Sequence, residues 1–317
     1  MIAIRRLALA TALLAYALIV LGALVRSTNS GLSCPDWPTC YGYWVLTPAD
    51  FAALPHTGYT YGQVMLEWVH RLIAGVFLGP LVLVLLALIV WRRRERPGLL
   101  AAGGLLLALL IVQKLLGGIT VLDRNSPWSV ALHLGNAMLV LATLLWIAVR
   151  AGDVERREAP GGLHHLTAAS WLLVIGAITS AAIVAKSGAA LACSTWPLCD
   201  GALLPDLGDP LIRANFTHRL LAGLAALALS LLAWQASRAG LPPDLARLAR
   251  LAAIVVWLEV ALGAVTVWGE IATGLAVLHQ AVGVLVFAKV TLFWWRLRAA
   301  SRPLALEAGD GLALRGA

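Results

Sequence analysis

Apolar residues run through this chain in long blocks separated by short polar segments. Eight blocks lie near 7–25, 64–90, 99–122, 129–149, 166–185, 214–235, 251–268 and 274–295. Each is close to the ~20 residues that a helix needs to cross a bilayer. The pattern predicts an all-α integral membrane protein with eight transmembrane helices. The first block follows Arg5 and Arg6, but it is long enough to span and lacks a small-x-small cleavage site, so it reads as a helix and not a signal peptide.

A second, longer period lies on top of the first. Glu67-Trp68-Val69-His70-Arg71-Leu72-Ile73-Ala74-Gly75 returns 148 residues later as Asn215-Phe216-Thr217-His218-Arg219-Leu220-Leu221-Ala222-Gly223, with the acid changed to Asn. Cys34-Pro35-Asp36-Trp37-Pro38-Thr39-Cys40 pairs with Cys193-Ser194-Thr195-Trp196-Pro197-Leu198-Cys199, and Leu116-Gly117-Gly118-Ile119-Thr120-Val121 with Leu262-Gly263-Ala264-Val265-Thr266-Val267. His133 and His279 each follow 13 residues after the matching Thr. A duplicated four-helix unit explains all of this. The expected organisation is two tandem pseudo-symmetric four-helix bundles: residues 1–150 carrying a substrate site, a cytoplasmic linker at 151–165, a second bundle at 166–298, and a disordered tail at 299–317. Units of four helices run in the same sense through the membrane, as parallel repeats.

Composition fits the membrane reading: 61% of the 317 residues are hydrophobic and 13% charged, about half the charged share of an average soluble protein. The net charge of +8 needs no nucleic-acid partner, because the basic residues fall in alternate loops. Arg5 and Arg6 precede the first block; Arg92, Arg93, Arg94 and Arg96 follow the second, and Arg150, Arg156 and Arg157 the fourth. Arg238, Arg247 and Arg250 follow the sixth, and Arg296, Arg298 and Arg302 the eighth. The positive-inside rule then makes both termini cytoplasmic and turns the cysteine loops outward. The absence of any extension before the first block points to a bacterial plasma membrane.

Even-numbered helices begin at the outer face, and His70, His133, His218 and His279 are expected four to seven residues past their starts, about 6 to 10 Å deep at ~1.5 Å per residue. One intramembrane histidine is as well explained by an interhelical hydrogen bond. Four at a repeated position are not, since ionisable groups inside a span are costly and mark function. Two histidines from facing helices of one bundle can supply both axial ligands of a haem iron, so two bis-histidine sites are expected, His70 with His133 and His218 with His279. Zinc fits less well, with two histidines per half and the cysteines away in the loops. Gly75, Gly223, Gly117-Gly118 and Gly263-Ala264 allow close approach of a macrocycle or a neighbouring helix. Arg71 and Arg219 could pair with haem propionates, with snorkelling to lipid head groups as the competing account. His56, His164 and His165 read as solvated surface.

Glu67 marks the difference between halves. At i and i+3 it shares a helix face with His70, and a carboxylate facing a haem in low dielectric could accept a proton or stabilise a developing cation. Chemistry is therefore assigned to the first half and electron storage or transfer to the second. The competing reading of Glu67 is a hydrogen bond to a neighbouring helix. Cys34, Cys40, Cys193 and Cys199 lie in loops facing an oxidising compartment, so two short disulfides are expected, with a redox part for Cys34 and Cys40 as the alternative. The first loop, with Trp37, Tyr41, Tyr43, Trp44, Tyr59 and Tyr61, suggests an interfacial lid over the first site. Asp123, Arg124 and Glu270 read as solvated helix ends; Lys114, Glu259 and Lys289 lie within spans without an assigned role.

Taken together, the Glu67–Arg71 motif, His133, the Asn215–Arg219 motif, His279 and the two Cys-x5-Cys loops resemble the haem A synthase family, over the whole chain from first to last helix. The resemblance implies an oxidoreductase that converts the C8 methyl of haem O to the formyl of haem A, for terminal oxidases, by successive hydroxylations with oxygen from water. It makes His70 and His133 bracket the substrate with Glu67 in catalysis, and His218 and His279 hold a haem b. Family members differ in keeping the loop cysteines. The implied partners are haem O and the synthase that supplies it, an unidentified electron acceptor and the lipid bilayer, with homo-oligomerisation left open. The main alternative is a non-catalytic, quinone-linked dihaem b-type electron carrier; a haem transporter or chaperone is a third reading.

Overall fold

The computed structural model describes residues 1–55, 57–152 and 160–301. His56, the charged cluster within 153–159 of the linker, and Arg302 with the tail behind it lie outside the described residues. Among the described residues eight helices are long and apolar enough to cross a membrane. They are α1 (Ile2–Ser27), a composite span of α3 (Tyr61–Leu72), a π-helical turn (Ile73–Leu78) and α4 (Gly79–Trp91), then α5 (Gly98–Leu122) and α6 (Pro127–Arg150). The second half repeats the set as α7 (Gly161–Ser187), α8 (Pro210–Arg238), α9 (Pro243–Trp268) and α10 (Thr273–Ala300). A five-residue helix, α2 (Pro48–Ala52), lies in the first loop. An even number of spans leaves the start of α1 and the end of α10 at the end away from the cysteine loops.

Helix starts are set by caps. Thr60 accepts the Gln63 N–H while the Gln63 side chain returns to the Thr60 N–H, a reciprocal pairing that satisfies two orphan donors. Asp209 accepts from the N–H groups of Leu211 and Ile212 ahead of Pro210. These caps start α3 and α8 before the apolar blocks begin, so His70 and His218 sit nine and eight residues into their helices, deeper than the four to seven expected. His133 and His279 sit six in. Likewise α7 starts at Gly161, so His164 and His165 belong to its first turns and not to an irregular linker.

The π turn has a local cause. Pro80 has no N–H to give to the carbonyl one turn back, and its ring crowds that carbonyl, so the hydrogen-bond register loosens just ahead of it. At the corresponding place α8 is unbroken.

Helices α1, α6, α7 and α10 form the centre, with α6 packed on the other three and α10 on α1 and α7. The Trp295 indole donates to the Ala142 carbonyl at 3.0 Å and stacks on Trp146, with centroids 5.1 Å apart. Phe287, Phe293, Met138 and Leu144 are fully buried here. The flanks differ. In the second half α8 packs along both α7 and α9. In the first, α3 packs on α1, while α5 meets the composite span through α4, leaving the loop end between α3 and α5 loosely closed.

Lipid tails are as apolar as the side chains, so the centre is held by close packing and interhelical hydrogen bonds more than by escape from water. Phe287→Ala should therefore lower the thermal unfolding midpoint in detergent, by up to about 3 kcal/mol of packing. Phe77→Ala, on the exposed π turn, should leave it unchanged; equal effects would contradict this packing.

Candidate functional site

Two equivalent assemblies form at the loop end, each from a disulfide-closed loop, an arginine and a histidine pair. Cys34 bonds to Cys40 and Cys193 to Cys199. Over each ring an arginine reaches up from the helix. Arg71 Nη1 donates to the carbonyls of Asp36 (2.5 Å) and Thr39 (2.7 Å), and Nη2 to the Cys34 carbonyl (3.1 Å) and Glu67 Oε1 (2.6 Å). Arg219 repeats this on Thr195 (2.6 Å), Leu198 (3.2 Å) and Cys193 (2.6 Å). Both guanidiniums, anticipated as propionate contacts, spend these donors on loop backbone.

Glu67 is buried. Besides Arg71 it accepts from the Cys34 N–H at 2.9 Å and lies 3.1 Å from the Ser33 hydroxyl, both at Oε2. Its counterpart Asn215 gives its amide N–H groups to the carbonyls of Ala189 (2.7 Å) and Ala190 (3.1 Å), and its Oδ1 is buried without a partner. Thus the acid is fixed by three donors, and the amide by two acceptors. The aromatic loop folds onto α3: Trp68 donates to the Trp44 carbonyl at 2.9 Å and Tyr61 to that of Leu46 at 3.2 Å, over a small core of Cys34, Cys40, Leu46 and Val64. Partial burial pushes the Asp36 carboxyl up, but hydrogen bonds from Thr39, Gly42 and Tyr41 outweigh it and hold Asp36 below the usual carboxylate range.

The histidines come together in pairs. His218 and His279 face one another with ring centroids 6.4 Å apart and planes at 81°. The Nδ1 of His218 lies 3.0 Å from the Ala177 carbonyl and 3.3 Å from the Ser180 hydroxyl, and that of His279 lies 3.0 Å from Glu259 Oε1. The Nδ1 of His218 is held by these neighbours, and that of His279 faces the carboxylate without a hydrogen bond, so in both rings Nε2 is the nitrogen left to ligate. A separation of 6.4 Å is about that of two imidazoles sharing one metal at ~2 Å per metal–nitrogen bond. In the first half the Gln113 amide nitrogen approaches the ring nitrogens of His133 at 3.3 and 3.2 Å, while its oxygen accepts from Asn136 at 2.7 Å. His70 Nδ1 is buried with no partner.

Close glycines back three of the rings. A Cβ on Gly22, Gly117 or Gly263 would come 3.3, 3.3 or 3.2 Å from Cε1 of His70, His133 or His279. Gly75 and Gly223 have nothing within 4 Å of a Cβ, which leaves space beside each ligand helix. An orphaned buried imidazole nitrogen, a facing pair at metal-sharing distance and open space beside them fit a bis-imidazole haem. Gln113, Gly22 and Ser33 did not stand out by residue type, and Glu259 was noted within a span without a role. Repeat spacing would have found two of them, since Gln113 and Glu259 are 146 residues apart, as are His133 and His279.

The class these features define is a duplicated, eight-span membrane protein presenting paired, half-buried histidines beneath disulfide-closed loops. A family model described as cytochrome oxidase assembly protein (COX15-CtaA) matches residues 5–291. The chain is 31% identical to a protein of Granulibacter bethesdensis named heme A synthase, covering 92% of this chain and 86% of that one. It is 32% identical to the one so named from Symbiobacterium thermophilum, over 82% and 84%, and 28% to that of Caulobacter vibrioides, over 90% and 94%. The chain belongs to the haem A synthase family.

Removing one member of a buried ion pair costs more than the pair is worth, about 3–5 kcal/mol, because the other charge is stranded. Arg71→Ala strands the buried Glu67, whereas the acid near Arg219, Asp200, is exposed to solvent. Amide hydrogen exchange should therefore accelerate more at 33–42 in the first variant than at 192–201 in the second. Equal acceleration would contradict the role of the Glu67–Arg71 pair.

Proposed function

We propose that this chain is a haem A synthase, oxidising the C8 methyl group of haem O to a formyl group. The first half binds haem O between His70 and His133, and the second holds a haem b between His218 and His279. The observation that carries this is the duplication itself: two histidine pairs at matching positions, only one preceded by an acid, in a chain of this family.

Converting a methyl to a formyl with oxygen from water releases four electrons and four protons. Glu67 stands one turn before His70, its oxygens aimed by Arg71, Cys34 and Ser33, and serves as the proton acceptor for the attacking water. Bound haem b supplies one-electron redox chemistry. His218 and His279 would hold and orient it in the second half, and an external acceptor takes the four electrons. Asn215, tied to two carbonyls, has no acid to offer, which suits transfer without oxidation of its own macrocycle.

Loose closure between α3 and α5 supports lateral entry of a prenylated porphyrin from the bilayer. Arginines gathered at the end away from the disulfides support an orientation with that end in the cytoplasm and the loops in the oxidising compartment outside. In this reading the disulfides are structural, since each closes the ring on which an arginine docks.

Co-expression with a haem O source, followed by pigment extraction and mass measurement, tests the proposal. Wild type should yield haem A, and Glu67→Gln should abolish conversion, by at least ~100-fold for loss of a general base, while retaining haem b. Unmodified haem O alone from an active wild-type preparation would favour a transporter. Full conversion by Glu67→Gln would refute the catalytic role.

A further inference from the structure

The two halves have exchanged carboxylates. Around the ligands the first half has Glu67 and Gln113, and the second has Asn215 and Glu259 at the matching positions. Glu259 Oε1 stands 3.0 Å from His279 Nδ1, and both that nitrogen and Glu259 Oε2 are buried without a hydrogen-bond partner. A half-satisfied acid inside a span is costly. The neutral Gln113 occupies the same place beside His133, so packing alone does not call for a charge there.

The helix that carries His279 is shaped to admit it. Position 283, one turn further on, is Gly, and a Cβ there would come within 2.7 Å of Glu259 Oε1. The matching first-half residue, beside the uncharged Gln113, is Ala137. Acid and glycine thus occur together in one half, and amide and alanine in the other. Across the interface between halves, Tyr16 on α1 donates to the Ala281 carbonyl at 3.0 Å, pinning α10 between the histidine and this glycine.

Resting on the assignment of a haem to the second half, we propose that Glu259 is a positioning residue that orients His279 and holds the reduction potential of that haem lower than a neutral residue at position 259 would. A carboxylate beside the distal nitrogen of a metal-bound histidine fixes the ring and raises its basicity. A more electron-rich axial ligand favours the oxidised iron and lowers the potential. Gln113, which carries no charge, exerts no such pull on His133. The second half is therefore tuned to hand electrons on and not to store them.

The test is redox potentiometry of the purified full-length protein, followed by visible absorbance. Glu259→Gln should keep a six-coordinate spectrum and raise the potential of the His218-dependent haem by up to about tenfold in the one-electron equilibrium, about 59 mV. Gln113→Glu should lower the other. Should Glu259→Gln lose its haem, Gly283→Ala, which displaces the carboxylate without removing it, must give the same upward shift. Unchanged potentials in haem-loaded Glu259→Gln, or in Gly283→Ala where that variant is needed, overturn the proposal. A wild-type spectrum with no His218-dependent component would instead overturn the haem assignment itself.

Discussion

A guanidinium placed inside a membrane span must find acceptors for its N–H groups, because lipid offers none. Arg71 and Arg219, each one residue past a histidine, meet this demand by reaching onto the carbonyls of a Cys-x5-Cys loop. That choice organises each half. The loop must turn three carbonyls inward, and the disulfide closes the ring that presents them. Loop and histidine are thereby tied to the same helical turn, so that the cover and the ligand keep a fixed relation. In the first half the same arginine also holds Glu67.

On this common frame the halves diverge in four places that reinforce one another. The first half has an acid beside the helix-α3 histidine, a π turn just after it, a long aromatic loop above it and a loose seam between α3 and α5. In the second half α8 packs along both α7 and α9, and the acid is Glu259 on α9. An open, acid-bearing site suits a substrate that enters and leaves. A closed site with a tuned ligand suits a permanent electron carrier. The central layer of α1, α6, α7 and α10 keeps the two side by side.

Much of this was legible in the residues. Apolar blocks long enough to span gave eight helices, and the 148-residue return of His-Arg-Leu paired the halves, because both signals are carried by residue type at fixed spacing. The helix starts at Tyr61 and Pro210 were less legible, since caps at Thr60 and Asp209 lie outside the apolar pattern. The destination of Arg71 was not legible. A propionate and a backbone carbonyl can both accept from a guanidinium, and only the folded loop shows that carbonyls are within 2.5–3.1 Å. Glu259 stood out as an acid within a span but had no role there; its meaning appears only when α9 and α10 bring it to His279. The π turn was signalled by Pro80, whose missing N–H predicts a break in register but not its form.

The central claim is that facing histidines at matching places in the two halves each hold a haem. Visible spectroscopy with pigment quantitation on purified His218→Ala tests it most directly. The account predicts loss of the tightly held haem b while the first-half site keeps its spectrum. Retention of wild-type haem content and an unchanged spectrum would contradict it.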